Sequence, residues 1–212
     1  MLLSFASGSF AIQSTNKLWS SFTLMGNYGK FYYNIEPQLR LIEAPNAFNQ
    51  FLTNAGGGIE ISPTWQLWLG QTISTLSQDA GPGDFEEYRM WEQVIWQRQV
   101  KSLRLNSRTR IEQRKSFYFP TWSNRFRERI TVNMPLAPRL DLVASNEILI
   151  NLNQVEWITT KTWDQDRIYF GFMQQLSKSV FLNVGAMNQW LFTPINQSDV
   201  VLVINLTVNL AT

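Results

Sequence analysis

The stretch Leu103-Arg-Leu-Asn-Ser-Arg-Thr-Arg-Ile-Glu-Gln-Arg114 keeps a strict two-residue period with charge on one face only. Arg104, Asn106, Arg108, Arg110, Glu112 and Arg114 point one way; Leu103, Leu105, Ser107, Thr109, Ile111 and Gln113 point the other. Successive side chains of a strand leave opposite faces, so this is a strand with a neutral or apolar face and a dense arginine face. Each face must meet a different surrounding.

The next segment repeats the pattern. Arg125, Arg127, Arg129, Thr131 and Asn133 alternate with Phe126, Ile130, Val132 and Met134, so two consecutive strands carry seven arginines side by side. Like charges opposite one another destabilise a sheet unless acids intervene. Acids do fall into the same phase elsewhere, in Glu36 with Arg40, in Glu87 with Arg89, and in Asp141 and Glu147. This points to an interior where arginines and carboxylates interdigitate. Two architectures satisfy the pattern. In a soluble sandwich the arginines face water and the apolar face is the core; in a membrane barrel the apolar face meets lipid and the arginines line the lumen. The second is the expectation: an all-β, antiparallel, up-and-down transmembrane β-barrel of about twelve strands, with ten as the fallback.

Composition agrees with that choice. The 212 residues suffice for one barrel of ten to twelve strands at about ten residues each. No uninterrupted apolar run approaches the roughly twenty residues of a helical span. Hydrophobic residues reach 44%, with nine Trp, six Tyr and fourteen Phe, yet half of each strand is polar. A net charge of +2 is too balanced to argue for nucleic acid as a partner. Cysteine is absent, which neither requires nor forbids an oxidising compartment.

Residues 1–11, Met-Leu-Leu-Ser-Phe-Ala-Ser-Gly-Ser-Phe-Ala, read as a truncated signal peptide or as a first strand; residues 12–212 form the single barrel domain. From Leu18 onward eleven strand-like segments follow: Leu18 to Asn27, Phe31 to Ile42, Phe51 to Ser62, Trp65 to Ser77, Glu87 to Gln97, Leu103 to Lys115, Arg125 to Met134, Leu140 to Asn151, Arg167 to Leu176, Val180 to Trp190 and Val200 to Leu210. Their connections alternate short and long, as the periplasmic turns and extracellular loops of an outer-membrane barrel do. Bacterial single-chain barrels have an even strand count. Residues 2–13 are therefore the candidate for a twelfth strand.

All six lysines fall in or beside turns, while most arginines fall within strands. Aromatic residues gather near strand ends and loops, at Trp19, Trp65, Trp96, Phe119, Trp122, Trp157, Trp163, Trp190 and Phe192, as an interfacial girdle requires. Four residues resist the scheme: Glu92, Glu128, Asn146 and Gln174 land on the apolar face, where only a bulge that resets the alternation would remove them. The run Ala55-Gly-Gly-Gly58 lacks the Lys-Ser/Thr of a phosphate loop and reads as a kink over which large neighbours such as Trp68 pack.

The ordered set Trp19; Glu36-Pro-Gln38-Leu-Arg40; Trp68-Leu-Gly70; Glu87-Tyr-Arg89-Met-Trp91-Glu-Gln93; Leu105 to Arg114; Arg125-Phe-Arg127; Ser145-Asn-Glu147; Asp166-Arg167 with Gly171; and Gly185-Ala-Met187-Asn-Gln189 resembles the bacterial outer-membrane β-barrels grouped as domain of unknown function 2490. The resemblance implies an outer-membrane barrel in a Gram-negative bacterium and carries no activity with it.

Histidine is absent, so a Ser-His or Asp-His catalytic pair is impossible. A carboxylate pair such as Glu112 with Glu147 remains the one hydrolytic arrangement conceivable, and acids that neutralise arginines account for both residues as well. No catalytic residue, metal site or cofactor is expected. The expected polar network of the lumen is Glu36, Arg40, Glu87, Arg89, Arg104, Arg108, Arg110, Glu112, Arg114, Arg125, Arg127, Arg129, Glu147 and Arg167. Its excess of arginine leaves the interior basic, so the expected partners are outer-membrane lipid outside and small anionic solutes inside; no protein partner is identifiable. Three roles stay open. They are a narrow channel or transporter for small anions, a plugged barrel acting structurally or adhesively through its loops, and a soluble β-barrel or sandwich domain.

Overall fold

A computed structural model describes residues 14–43, 48–76, 85–158, 160–194 and 197–210. The chain is a single meander of eleven strands: β1 Asn16–Tyr28, β2 Phe31–Ile42, β3 Phe48–Ser62, β4 Trp65–Leu76, β5 Phe85–Val100, β6 Leu103–Ser116, β7 Trp122–Ala137, β8 Leu140–Asn151, β9 Trp163–Gln175, β10 Val180–Leu191 and β11 Gln197–Asn209. Each pairs antiparallel with its sequence neighbours, and β1 closes on β11 to complete a barrel. That closing pair is parallel, running from Asn16 opposite Val200 to Met25 opposite Asn209. Parallel closure follows from the count, because an odd meander brings its first and last strands to the seam in the same direction.

Eleven described strands lie between the twelve expected and the ten held as fallback, and each of the eleven sequence segments became one strand. The candidate twelfth strand and the signal-peptide reading both fall on residues 1–13, outside the described residues. Some strands run further than the segments read from the sequence: β7 begins at Trp122 and extends to Ala137. At one rim the connections are tight. Gly29, Lys101 and Arg139 take positive φ angles of 58°, 55° and 66°, the left-handed conformation that two-residue hairpin turns demand.

The two faces of the wall are chemically inverted relative to a water-soluble sandwich. Outward side chains such as Ile35, Leu69, Ile73, Ile130, Phe170 and Leu202 are exposed and apolar. The buried interior is dominated by polar and charged groups, with one apolar patch of Trp19, Val143, Tyr169, Met187 and Val201. Glu92, Glu128 and Asn146 do stay on the outer face. Register shifts occur only near strand ends, at Arg40/Leu41, Glu60/Ser62, Pro135/Ala137 and Leu149/Ile150, so no mid-strand bulge turns them inward. Instead neighbouring strands supply hydrogen-bond partners: Gln113 donates to Glu92 at 3.0 Å, Ser107 and Thr109 donate to Glu128 at 2.6 and 2.5 Å, and Asp166 accepts from Asn146 at 2.6 Å.

The glycine-rich part of β3 is explained by close approach. A Cβ on Gly58 would overlap the Trp68 ring, and one on Gly56 or Gly70 would overlap the Trp91 ring. Both indoles therefore lie flat against the inner wall over missing side chains. Gly57, between them and facing outward, meets no such neighbour.

Candidate functional site

Residue alternation places the site. Because β5 to β9 are adjacent and in antiparallel register, every second residue of each strand faces the interior, and the cross-strand partners are charged: Arg89 opposite Arg114, Arg110 opposite Arg127, Arg108 opposite Arg129, Glu112 opposite Arg125, and Glu147 flanked by Arg129 and Arg167. Like charges thus sit directly opposite in three places. The arrangement is held by carboxylates that each serve several guanidinium groups, which is the geometry that offsets the desolvation of buried ions.

Glu112 is the hub, fully buried on β6. It accepts from Arg125 Nε and Nη2 at 2.9 and 2.6 Å and from Arg127 Nη1 at 2.6 Å, with Arg110 Nη1 at 3.6 Å. Glu147 on β8 is the second hub. It accepts from Arg108, from Arg127 Nη2 at 2.7 Å and from Arg167 Nη1 at 3.0 Å. Arg127 bridges the two hubs. Glu87 pairs with Arg89 at 2.8 Å and Arg114 at 2.5 Å. Arg104 pairs with Asp141 toward the tight-turn rim.

Arg40 and Arg129 depart from the expected network. Arg40 does not pair with Glu36; Glu36 accepts from Asn54 at 3.4 Å, while Arg40 donates to Gln38 at 2.9 and 2.7 Å and to Gln50 at 2.8 Å. Its guanidinium lies 3.7 Å over the Trp19 ring, with Arg167 at 5.2 Å from the same ring. Among the described residues Arg129 makes no ion pair or hydrogen bond, and its Nε is buried without an acceptor. The fourteen residues selected from the sequence all face the interior, and eleven of them share ion pairs; Glu36, Arg40 and Arg129 do not.

Several interior residues lie outside the set that the charge pattern selects. Trp19 was expected in an interfacial girdle; it is inside the barrel, 6% exposed, because its phase matches Lys17 and Ser21 rather than Leu18. Trp91 shares the phase of Arg89 and carries Arg110 4.0 Å over its ring, and Arg110 also donates to Gln93 at 2.9 and 2.7 Å. Those placements were readable from alternation. Asp164 and Asp199 were not, since they begin strands where the period is lost. Asp164 accepts from Arg125 at 2.8 Å and from Thr160 at 2.7 Å, and Asp199 pairs with Lys17 at 2.5 Å.

The interior has two levels. Toward the long-loop rim it is packed: Glu87, Ser116, Ser123, Asn151, Thr160, Asp164 and Asp199 are all buried, and residues 152–158 lie against the start of β7 and the residue before it through Asn153 to Trp122 O at 2.9 Å and Trp157 Nε1 to Thr121 O at 3.2 Å. Below this lies a hollow of about 520 Å³ bordered by seven arginines, Arg40, Arg89, Arg108, Arg110, Arg127, Arg129 and Arg167, and by two carboxylates, Glu36 and Glu147. Trp19, Trp68, Trp91 and Tyr169 also line it, among neutral side chains. Among the described residues no three acids converge as a metal site would need. A separate hollow of about 690 Å³ lies on the outer wall over Gly57 between Phe31, Leu67, Leu69, Val94 and Ile111; it belongs to the apolar outer surface and holds one acid, Glu92.

An apolar outer wall, a polar and mostly ion-paired interior and a closed strand order together define a porin-like β-barrel. The chain belongs to the family described as Protein of unknown function (DUF2490), whose model matches residues 16–199. It is similar to an uncharacterised protein of Methylorubrum extorquens, with 26% identity over 179 residues, covering 82% of this chain and 77% of that protein. Among solved structures it is similar to the NanC porin at a TM-score of 0.51 and 11% identity, covering 82% of this chain and 87% of that one. This last likeness is one of fold.

Proposed function

We propose that the chain is an outer-membrane barrel of a Gram-negative bacterium that passes small anionic solutes through its lumen. The observation that carries the reading is the interior hollow, where seven arginines face two carboxylates. A ring of arginines in a water-poor passage lowers the energy of an anion and raises that of a cation. The apolar outer wall supports lipid as its surrounding, since a soluble carrier would leave those side chains in water. The interior carboxylates Glu87, Glu112 and Glu147 are each ion-paired with two or more guanidinium groups, which supports transport over hydrolysis, because carboxylates so engaged neutralise arginines rather than stand open to a substrate.

The packed long-loop rim makes the passage narrow. It also favours a second reading, a plugged barrel that acts through its loops, and transport across vesicles separates the two. Liposomes carrying the refolded chain should swell faster in isosmotic gluconate than in glucose, and slowest in a choline salt of an impermeant anion. Equal rates in all three, matching empty liposomes, would support the plugged barrel.

A further inference from the structure

Within this anion-conducting reading, two arginines have no counterion. Arg40 on β2 is held by two glutamines and the Trp19 ring, and Arg129 on β7, although Glu147 stands opposite it across the β7–β8 register, makes no ion pair or hydrogen bond among the described residues. In an eleven-strand ring β2 and β7 stand on opposite sides, and both side chains border the same 520 Å³ hollow. Arg89 and Arg108, also on its border, each turn a buried Nε toward no acceptor. Every other interior arginine of the network is matched by a carboxylate, so the pattern of missing charge is local to this hollow.

Leaving a half-buried cation unpaired carries a cost, which falls if the partner arrives as a ligand. We infer that the hollow is a binding site for a small organic dianion with two carboxylate groups, one end taken by Arg40 with Arg89 and the other by Arg129 with Arg108. Three features favour this class. The guanidinium fork matches a carboxylate in shape as well as charge. Two cations without counterions on opposite walls call for two acidic groups on one molecule. The volume lies within the range of cavities that hold small molecules, and Trp68 and Trp91 offer flat apolar surface to a short carbon chain between the acids.

The test is thermal unfolding of the refolded full chain in detergent, at constant ionic strength, with succinate, glutarate and adipate against propionate, inorganic phosphate and chloride. The inference requires that at least one dicarboxylate raise the midpoint saturably, at concentrations at least tenfold below those of propionate or chloride. Arg40→Gln and Arg129→Gln should each weaken that apparent affinity tenfold or more. Arg129→Gln removes a cation that has no ion pair or hydrogen bond, so without ligand it should unfold no earlier than the parent; Arg40→Gln also gives up the bonds to Gln38 and Gln50, so its affinity is read against its own ligand-free midpoint. Arg40→Lys and Arg129→Lys keep the charge and lose the fork, and should weaken binding too.

Equal shifts from chloride and dicarboxylates would overturn the site, as would unchanged affinity in all four variants. A phosphate response matching that of the best dicarboxylate would replace a dicarboxylate site with a general anion site. Conductance without saturable dicarboxylate binding would sink this inference and leave the channel standing; binding without conductance would do the reverse.

Discussion

Replacing Glu112 by Gln tests whether the interior is held by shared charge. The carboxylate is fully buried and receives three short hydrogen bonds from Arg125 and Arg127. Glutamine keeps the size and one carbonyl acceptor, but it turns an amide that can only donate toward guanidinium groups that also only donate. Removing one partner of a buried pair costs about 3 to 5 kcal/mol. The lower end applies here, because Arg125 keeps Asp164 at 2.8 Å and Arg127 keeps Glu147 at 2.7 Å. A loss of about 3 kcal/mol corresponds to a fall of roughly 6 to 12 °C in midpoint for a chain of this size. The assay is denaturant unfolding from lipid vesicles followed by tryptophan fluorescence, with Glu128→Gln as the reference. Glu128 lies on the outer face, where only hydroxyl donors from Ser107 and Thr109 hold it, so its neutralisation should change stability by less than about 1 kcal/mol. A loss below about 1 kcal/mol for Glu112→Gln, or one equal to that of Glu128→Gln, would refute the shared-charge interior.

Three further outcomes are expected. Ile204→Arg, outward near the middle of β11, should cost about 2 to 4 kcal/mol in vesicle refolding, and a neutral result would put water on that face. Gly70→Ala should destabilise by about 1 to 3 kcal/mol through overlap with the Trp91 ring, whereas Gly57→Ala should be nearly neutral; the two unfolding midpoints in detergent check the contrast. Trp157→Ala removes the ring that lies 5.3 Å from the Arg114 guanidinium and ties residues 152–158 to Thr121, so single-channel conductance should rise. An unchanged conductance would place the constriction elsewhere.

Most of the fold is legible in the sequence, because alternation is a local property that needs no knowledge of distant residues. Leu103 to Arg114 alone assigns one strand and both its faces, and register then carries Glu112 to Arg125 without further information. Two kinds of fact escape that logic. The first is which arginine meets which acid: Glu36 and Arg40 share a strand face four residues apart, yet Gln38 and Gln50 reach the guanidinium and Glu36 is left to Asn54. Partner choice of this sort depends on side-chain reach across the lumen. The second is the role of aromatic residues near strand ends. Trp19 and Trp65 look alike in sequence, but Trp65 is exposed on the outer wall and Trp19 stacks beneath Arg40, a difference fixed by one residue of phase. Asp164 and Asp199 were invisible for a simpler reason: they sit where loops become strands, so no period announces which way they point.

The central claim is that an arginine-rich lumen conducts anions, and the reversal potential of single channels in a planar bilayer under a tenfold potassium chloride gradient tests it most directly. The account predicts discrete small steps whose reversal potential lies on the chloride side of zero, moving toward zero in the Arg108→Gln and Arg129→Gln variants. A cation-favouring reversal potential, or no steps from protein shown to be inserted, would contradict it.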